Sequence, residues 1–439
     1  MISLEKQFTP DPLYGNIEVP TWFLEIEKFP SIRRMMFIRQ LGLKAYIDFP
    51  CAIHTRYSHS LGVMELSRRL VNLLEEKQKR RNMNNTQENL RSNLNNLMAA
   101  GVLHDIGHGP FSHVLDFPIH KICGKNHEEL SIAIIRKDMK CLENHGITLN
   151  IVEAIIRGIH DHQFIHQIIN GPIDADKLDY LLRDSYHVGL KYSFDVNYFV
   201  NNYAILGNDK DLKTCILGLD YNIKAITTYE LFVVIWKSMY DLVYFSDSTR
   251  IAESMLEKSI LLAIEQDKNF KKFFDDLNLY ISLNDEGLLK ELESIKGQVC
   301  NIISNIKDKN LYILYAKEIL TSENLKFNID FLNQVTLSNK EQISNLSDKL
   351  SIQICENFEV DKYRIICDIL KTRTPKDVCV DNYSPEGEPY SIRDYSDIIP
   401  AIRPKIYAQF YIDPPLTGEI NRKALIDSFY EQVRGWKSE

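Results

Sequence analysis

Gly101-Val102-Leu103-His104-Asp105-Ile106-Gly107-His108-Gly109-Pro110-Phe111-Ser112-His113 joins a buried helix to a histidine-rich turn. The apolar run from Leu97 to Leu103 leads into it and predicts a buried helix over 94–106, stopped by Gly107 and the Gly109-Pro110 pair. An adjacent His-Asp at the end of a buried helix is unusual. Neighbouring helical side chains diverge by about 100°, yet both reach one ion that sits beside the helix end. Histidine offers a neutral nitrogen and aspartate a hard anionic oxygen, a mix suited to a divalent metal such as Zn, Mn, Fe or Mg. Taken alone, the pair also fits a capping Asp beside a buried His. His108 one turn on, and His113 after the Gly-Pro turn, add weight to the metal reading.

Outward from this stretch, helical periodicity dominates. Leu61, Met64, Leu66, Leu70, Leu73 and Leu74 form an apolar stripe that predicts a helix over 58–77. The Asn-rich segment 76–96 reads as an exposed insertion or frayed helix end rather than a core element. Further helices are expected at 127–140, 149–160, 174–187, 223–245 and 247–265, with a short β-hairpin around Gly207-Asn208-Asp209. From 266 to 358 the chain reads as motif-free helices. Beyond that, strand-like runs at 377–380 and 406–412 and a last helix over 421–436 suggest a small α+β appendage. The expected architecture is an all-α catalytic core over 1–265, a helical extension over 266–358 and an α+β region over 359–439.

The bulk numbers suit a globular protein. Hydrophobic residues are 44% and charged residues 26% of the 439, enough to bury a core without staples. A net charge of −8 argues against an overall nucleic-acid footprint. The 8 cysteines form no C-x-x-C pair, which speaks against a zinc ribbon and suits a reducing compartment. The N-terminal stretch lacks the apolar core of a signal peptide and no run is long enough for a membrane span, so a cytoplasmic protein without membrane contact is expected.

All 12 histidines fall between His54 and His187, less than a third of the chain. That concentration points to metal or acid–base chemistry. His59 and Asp176 are ligand candidates at long range from His104 and Asp105. Asp176, Tyr180 and Asp184 recur every four residues and so project from one helix face. A solvated face with salt bridges through Lys177 or Arg183 is the plainer alternative. His127-Glu128 opens a helix, where capping by Asn126 explains the pattern equally well. His160 and His162 read as a polar helix end rather than a second cluster.

Taken together, DPLYGNIEVP (11–20), RQLGLKAYIDFP (39–50), HTRYSHSLGV (54–63), HDIGHGPFSH (104–113), NHEEL (126–130) and DADKLDYLLRDSYHVG (174–189) resemble the HD-domain deoxynucleoside triphosphate triphosphohydrolases. The likeness is to the vertebrate restriction-factor type and its bacterial relatives, without their sterile-alpha-motif domain. The resemblance implies that His59, His104, Asp105 and Asp176 hold one divalent metal ion: Zn, Mn, Fe, Ni or Mg. It implies that His108, His113 and His127 surround the α-phosphate, with His127 as general acid oriented by Asp116. Arg56 and Lys177 would bind phosphate oxygens. Gln40, Leu41, Tyr180, Asp184 and Tyr244 would contact the sugar. The implied reaction is attack of water on the α-phosphorus of a dNTP, releasing deoxynucleoside and triphosphate. Dimers or tetramers and a nucleotide effector are further implications. The vertebrate guanine-nucleotide site does not carry over in its familiar form, because its positions hold Lys28, Arg33 and Met36. A pocket arginine of the long helix aligns with Trp236. The motifs leave open other HD activities (phosphomonoesterase, phosphodiesterase or nuclease) and a nucleotide-sensing protein with little turnover.

Overall fold

Thr55 begins the element on which the rest is built. Its backbone N–H donates to the Ser58 hydroxyl at 3.2 Å and its own hydroxyl accepts from Ser58 N at 3.4 Å, a reciprocal cap. Helix α1 (Arg56–Arg80) runs from that cap, and its core face includes Leu61, Met64, Leu66, Leu70 and Leu74. The computed structural model describes residues 7–192, 194–326, 328–381 and 389–436.

The segment read as a frayed insertion is ordered differently. α1 continues to Arg80, and Asn84–Ser92 forms a second helix, α2, with Thr86 and Leu90 both 0% exposed. Local sequence offers α2 no side-chain cap. Asp209, far along the chain in the hairpin loop, supplies one by accepting from Asn85 N at 3.2 Å and from Thr86 N and Oγ1 at 2.8 and 2.7 Å.

Helix α3 (Leu94–Leu103) is buried all round from Asn96 onward. It ends earlier than expected, so His104 stands at its C-cap and Asp105 in the following turn. Gly101 lets α3 approach α1 closely, because a Cβ there would lie 3.1 Å from Met64 N. The remaining helices that carry the site are α4 (His127–Asp138), α5 (Ala175–Val188), α6 (Ile223–Met239) and α7 (Asp247–Gln266). The long helix expected over 223–245 gives way after Met239 to a wider π-helical turn at Tyr240–Tyr244.

Two strands absent from the sequence reading, β1 (Gln7–Asp11) and β2 (Gly15–Val19), form an N-terminal hairpin whose turn carries Tyr14. The expected hairpin is β3 (Tyr203–Leu206) with β4 (Ile216–Leu219). A third unanticipated strand, β5 (Ile313–Ile319), lies within the segment read as wholly helical. It pairs with β9 (Ile406–Ile412), which also pairs with β6 (Ile365–Lys371), all antiparallel in the order β5-β9-β6. Helix α8 (Lys340–Asn357) covers this sheet together with the last helix, Arg422–Gly435. The short strands β7 (Cys379–Val380) and β8 (Tyr390–Ser391) leave that region and extend the β3–β4 hairpin instead. One core cluster packs Leu43, Phe111 and Leu115 with Ile251–Leu262 and with Tyr363 and Tyr411, so hydrophobic packing ties the first half of the chain to the C-terminal sheet. Among the described residues no helix is long and apolar enough to cross a membrane.

Candidate active site

The His-Asp turn is pinned from several sides. Buried Arg34 donates to the carbonyls of Ile106 and His108 at 2.6 and 2.8 Å, and Tyr280 OH donates to the Gly107 carbonyl at 2.8 Å. Ser131 Oγ, on α4, donates to His104 O and accepts from Gly107 N. Phe111 and Ser112 both take positive φ (54° and 51°), a conformation unfavourable for residues with a Cβ and found where surroundings over-determine the backbone. Asp285 helps hold it by accepting from Phe111 N at 2.9 Å.

The structure brings together the four long-range ligand candidates. His59 Nε2 stands 3.1 Å from Asp176 Oδ1 and 3.6 Å from Asp105 Oδ2. His104 Nε2 stands 3.4 Å from Asp105 Oδ1 and 3.7 Å from Asp176 Oδ1. The ligand atoms of His59, His104 and Asp176 lie within 4.8 Å of one another, a group able to hold a metal ion. Each imidazole is oriented through its other nitrogen: His59 Nδ1 donates to Asp179 Oδ2 at 2.8 Å and His104 Nδ1 to Gly101 O at 2.9 Å. Both Nε2 atoms are buried and make no hydrogen bond. Buried nitrogens without a partner, facing two carboxylates, are the donor set a divalent cation requires, so the residues fit one.

Electrostatics agree with that fit. Burial lowers the His59 pKa, but the Asp176 and Asp179 carboxylates outweigh it and raise the value to about 10. Burial raises Asp105, and Arg56 followed by His104 overrides it, holding the carboxyl well below its usual range. Asp176 is likewise lowered against burial by His104 and His59. The site therefore presents two ionised carboxylates that attract positive charge.

A second group adjoins the first. His108 Nε2 is 3.4 Å from Asp105 Oδ1, and the His108 ring stacks on His127 with centroids 4.0 Å apart. Asp116 lies among His113 Nδ1 at 3.0 Å, His127 Nδ1 at 3.5 Å and Lys340 Nζ at 2.8 Å. His108, Asp116 and His127 could also hold a metal ion by geometry, but the Lys340 ammonium already sets a cation on Asp116. Burial and then Arg56 push His108 well below its ordinary value. Lys340 pushes His113 down, whereas Asp116 raises His127 against burial. Of this trio, His127 is the one whose surroundings favour the protonated form. Asn126 caps α4 by accepting from Glu129 N at 2.8 Å, so capping and placement of His127 coexist.

The remaining expected residues form a third wall. Asp184 accepts from His54 Nε2 at 2.7 Å and Tyr244 OH at 2.6 Å, and the Tyr180 and Tyr244 rings lie 6.2 Å apart. The π turn sets Tyr244 in this position. Gln40 Oε1 is buried without a partner, and Leu41 beside it is 4% exposed. Arg56 Nε donates to Ser112 Oγ at 2.9 Å and its guanidinium also binds Asp105. Lys177 does not stand free: its ammonium binds Asp174 and the Gly171 carbonyl. His160 and His162 contact each other's turn, and His162 binds Asn89, away from any carboxylate group of this kind.

Asp179, Lys340, Arg34 and His54 were not singled out as functional from sequence. Asp179 stands three residues after Asp176 on the same helix but carries no signal of its own in the sequence. Lys340 gave no signal, lying 224 residues from Asp116 in a motif-free segment.

Residues 56–184 match the HD domain and residues 214–412 the HD associated region. The chain therefore carries an HD domain followed by an HD associated region. It is 27% identical over 345 residues to the deoxynucleoside triphosphate triphosphohydrolase SAMHD1 homolog of Dictyostelium discoideum, covering 73% of this chain and 62% of that protein. It is also 27% identical over 347 residues to the Homo sapiens deoxynucleoside triphosphate triphosphohydrolase SAMHD1, covering 69% and 54%. The chain thus spans less than two thirds of the length of these curated relatives. In fold it is similar to a crystal structure of a phosphohydrolase from Bacteroides thetaiotaomicron, with a TM-score of 0.69 and 21% identity over 93% of this chain and 100% of that one.

Proposed function

We propose that this protein is a metal-dependent phosphohydrolase that cleaves deoxynucleoside triphosphates to deoxynucleoside and triphosphate. The observation that carries the reading is the pair of buried, unbonded imidazole nitrogens of His59 and His104 facing Asp105 and Asp176. Those four side chains would hold one divalent ion, Zn, Mn, Fe, Ni or Mg. When bound, it would act as a Lewis acid toward a phosphoryl oxygen and toward water. The triphosphohydrolase names of the two curated relatives support the choice of substrate.

In this reading a bond forms between water oxygen and the α-phosphorus, and the bond from that phosphorus to the sugar 5′ oxygen breaks. The electron pair goes to the 5′ oxygen together with a proton from His127, whose protonated form Asp116 favours and orients, and the proton that water loses is released to solvent. His108 and His113, neutral at pH 7, accept or donate single hydrogen bonds around the α-phosphate. Arg56 and Lys177 would offset negative charge on the phosphoryl oxygens. Gln40, Leu41, Tyr180, Asp184 and Tyr244 form the sugar wall. The same reading carries a cytoplasmic homo-oligomer, dimer or tetramer, with any nucleotide effector bound outside the familiar guanine pocket.

Chromatography of products from each dNTP incubated with the metal-loaded protein tests the reading. The expected product is inorganic triphosphate, abolished by Asp105→Asn. Release of only phosphate or pyrophosphate, or turnover that survives Asp105→Asn, would refute it.

A further inference from the structure

A cavity of about 520 Å³ opens beside His113 and Lys340 and runs to Lys371, Thr372 and Arg373. Most cations along it are already neutralised or tethered. Arg250 is bound by Asp368 at 2.7 Å, Lys258 by Glu257 at 2.8 Å and Asp348 at 3.1 Å, Lys340 by Asp116 at 2.8 Å, and Lys371 by the carbonyls of Thr336 and Ser338. Arg373 differs. Among the described residues its guanidinium has no hydrogen-bond or ion-pair partner, and it lies 5.6 Å from the ring centroid of Tyr240. Tyr240 in turn stands 5.0 Å from Tyr244, whose hydroxyl binds Asp184. Arg373 therefore sits at the outer end of an aromatic row that reaches into the candidate active site.

The backbone that carries Arg373 is fixed, although its side chain is exposed. Thr372 N donates to Lys405 O at 2.8 Å, and Lys405 N returns a bond to Thr372 Oγ1 at 2.7 Å. Arg393 donates to Pro375 O at 3.1 Å, and buried Tyr229, on α6, donates to Lys376 O at 2.9 Å. Residues 372–376 thus form a strap, anchored to both the C-terminal sheet and helix α6, that offers two cations, Arg373 and Lys376, with no side-chain hydrogen-bond or ion-pair partner among the described residues.

We propose that this strap is a polyphosphate-binding element, with Arg373 and Lys376 engaging the β- and γ-phosphates of the substrate and the adjoining cavity receiving the triphosphate product. The proposal rests on the dNTP reading above and extends it to a region outside the HD domain. Like charges gathered on a rigid support repel one another, and a polyanion converts that repulsion into charge-assisted hydrogen bonds. Burial and then the nearby Lys177 ammonium hold the Lys376 pKa below the ordinary lysine value, against the opposing pull of Asp174.

Calorimetric titration of the full chain with inorganic tripolyphosphate, and separately with a deoxynucleoside, tests this. Wild type should bind tripolyphosphate, Arg373→Gln should weaken it at least tenfold, Arg373→Lys should restore part of the loss, and deoxynucleoside binding should stay within twofold throughout. In turnover, Arg373→Gln should raise KM for dNTP more than it lowers kcat. Thermal melting should be unchanged, because Arg373 is exposed. No binding of tripolyphosphate by wild type, equal binding by Arg373→Gln, or equal loss of deoxynucleoside binding would each overturn the proposal. Arg373-dependent tripolyphosphate binding by a protein that cleaves no dNTP would instead refute the reaction and leave the strap's role standing.

Discussion

His127 and His113 flank one carboxylate, yet their environments separate them. Asp116 favours the His127 proton, while Lys340 disfavours one on His113. With pKa values pushed apart, roles follow: His127 is the acid and His113 is neutral at pH 7. An acid works only while protonated, so kcat/KM should fall as pH rises through the raised pKa of His127, on the alkaline side of an ordinary histidine. His127→Asn should lower kcat by about 10²–10⁴-fold and remove that alkaline limb; a pH–rate profile unchanged in shape would assign the proton elsewhere. A second residue acts at one remove. Asp179 accepts from His59 Nδ1, Tyr14 OH and Arg183, and so aims the imidazole at Asp176. Asp179→Asn should weaken metal affinity by roughly 10–100-fold, read as metal retained against a chelator. His59, His104, Asp105 and Asp176 are legible in sequence because an adjacent His-Asp and a crowd of histidines are compositional signals. Asp179 is not, because a carboxylate on an amphipathic helix reads as solvated until another helix lies across it.

The helix that lies across it is α1, and Gly62 of α1 faces Asp179 and Arg183 of α5. A Cβ there would fall 1.9 Å from Asp179 Oδ1 and 2.5 Å from an Arg183 nitrogen. Gly62→Ala should therefore destabilise the fold by about 1–3 kcal/mol, as overpacking does, and should also disturb His59 orientation. Gly418→Ala, with nothing within 4 Å of its Cβ, is the control and should stay within about 0.5 kcal/mol in urea denaturation. The periodic helices were readable because an apolar stripe needs no partner to be recognised. Helix α2 was not, since its cap comes from Asp209, and strand β5 was not, since Ile313–Ile319 becomes a strand by pairing with β9. In both cases the deciding contact is distant in sequence.

Over the whole molecule, the C-terminal region completes the site rather than hanging from it. Lys340 on α8 sets the charge balance of Asp116, and Arg250 on α7 binds Asp368 of β6, which also accepts from Tyr411 OH at 2.9 Å. Removing one member of such a buried pair strands the other, so Asp368→Ala should lower stability by about 3–5 kcal/mol in chemical denaturation. A loss below 1 kcal/mol would mean that the sheet and the HD domain are held by apolar packing alone.

In the proposed reaction, the cation that His59, His104, Asp105 and Asp176 would hold serves attack of water at the α-phosphorus. Running the reaction in ¹⁸O-labelled water and weighing the products tests it most directly. The prediction is one labelled oxygen in the inorganic triphosphate and none in the deoxynucleoside. Label in the deoxynucleoside, or labelled monophosphate or pyrophosphate in place of triphosphate, would contradict it.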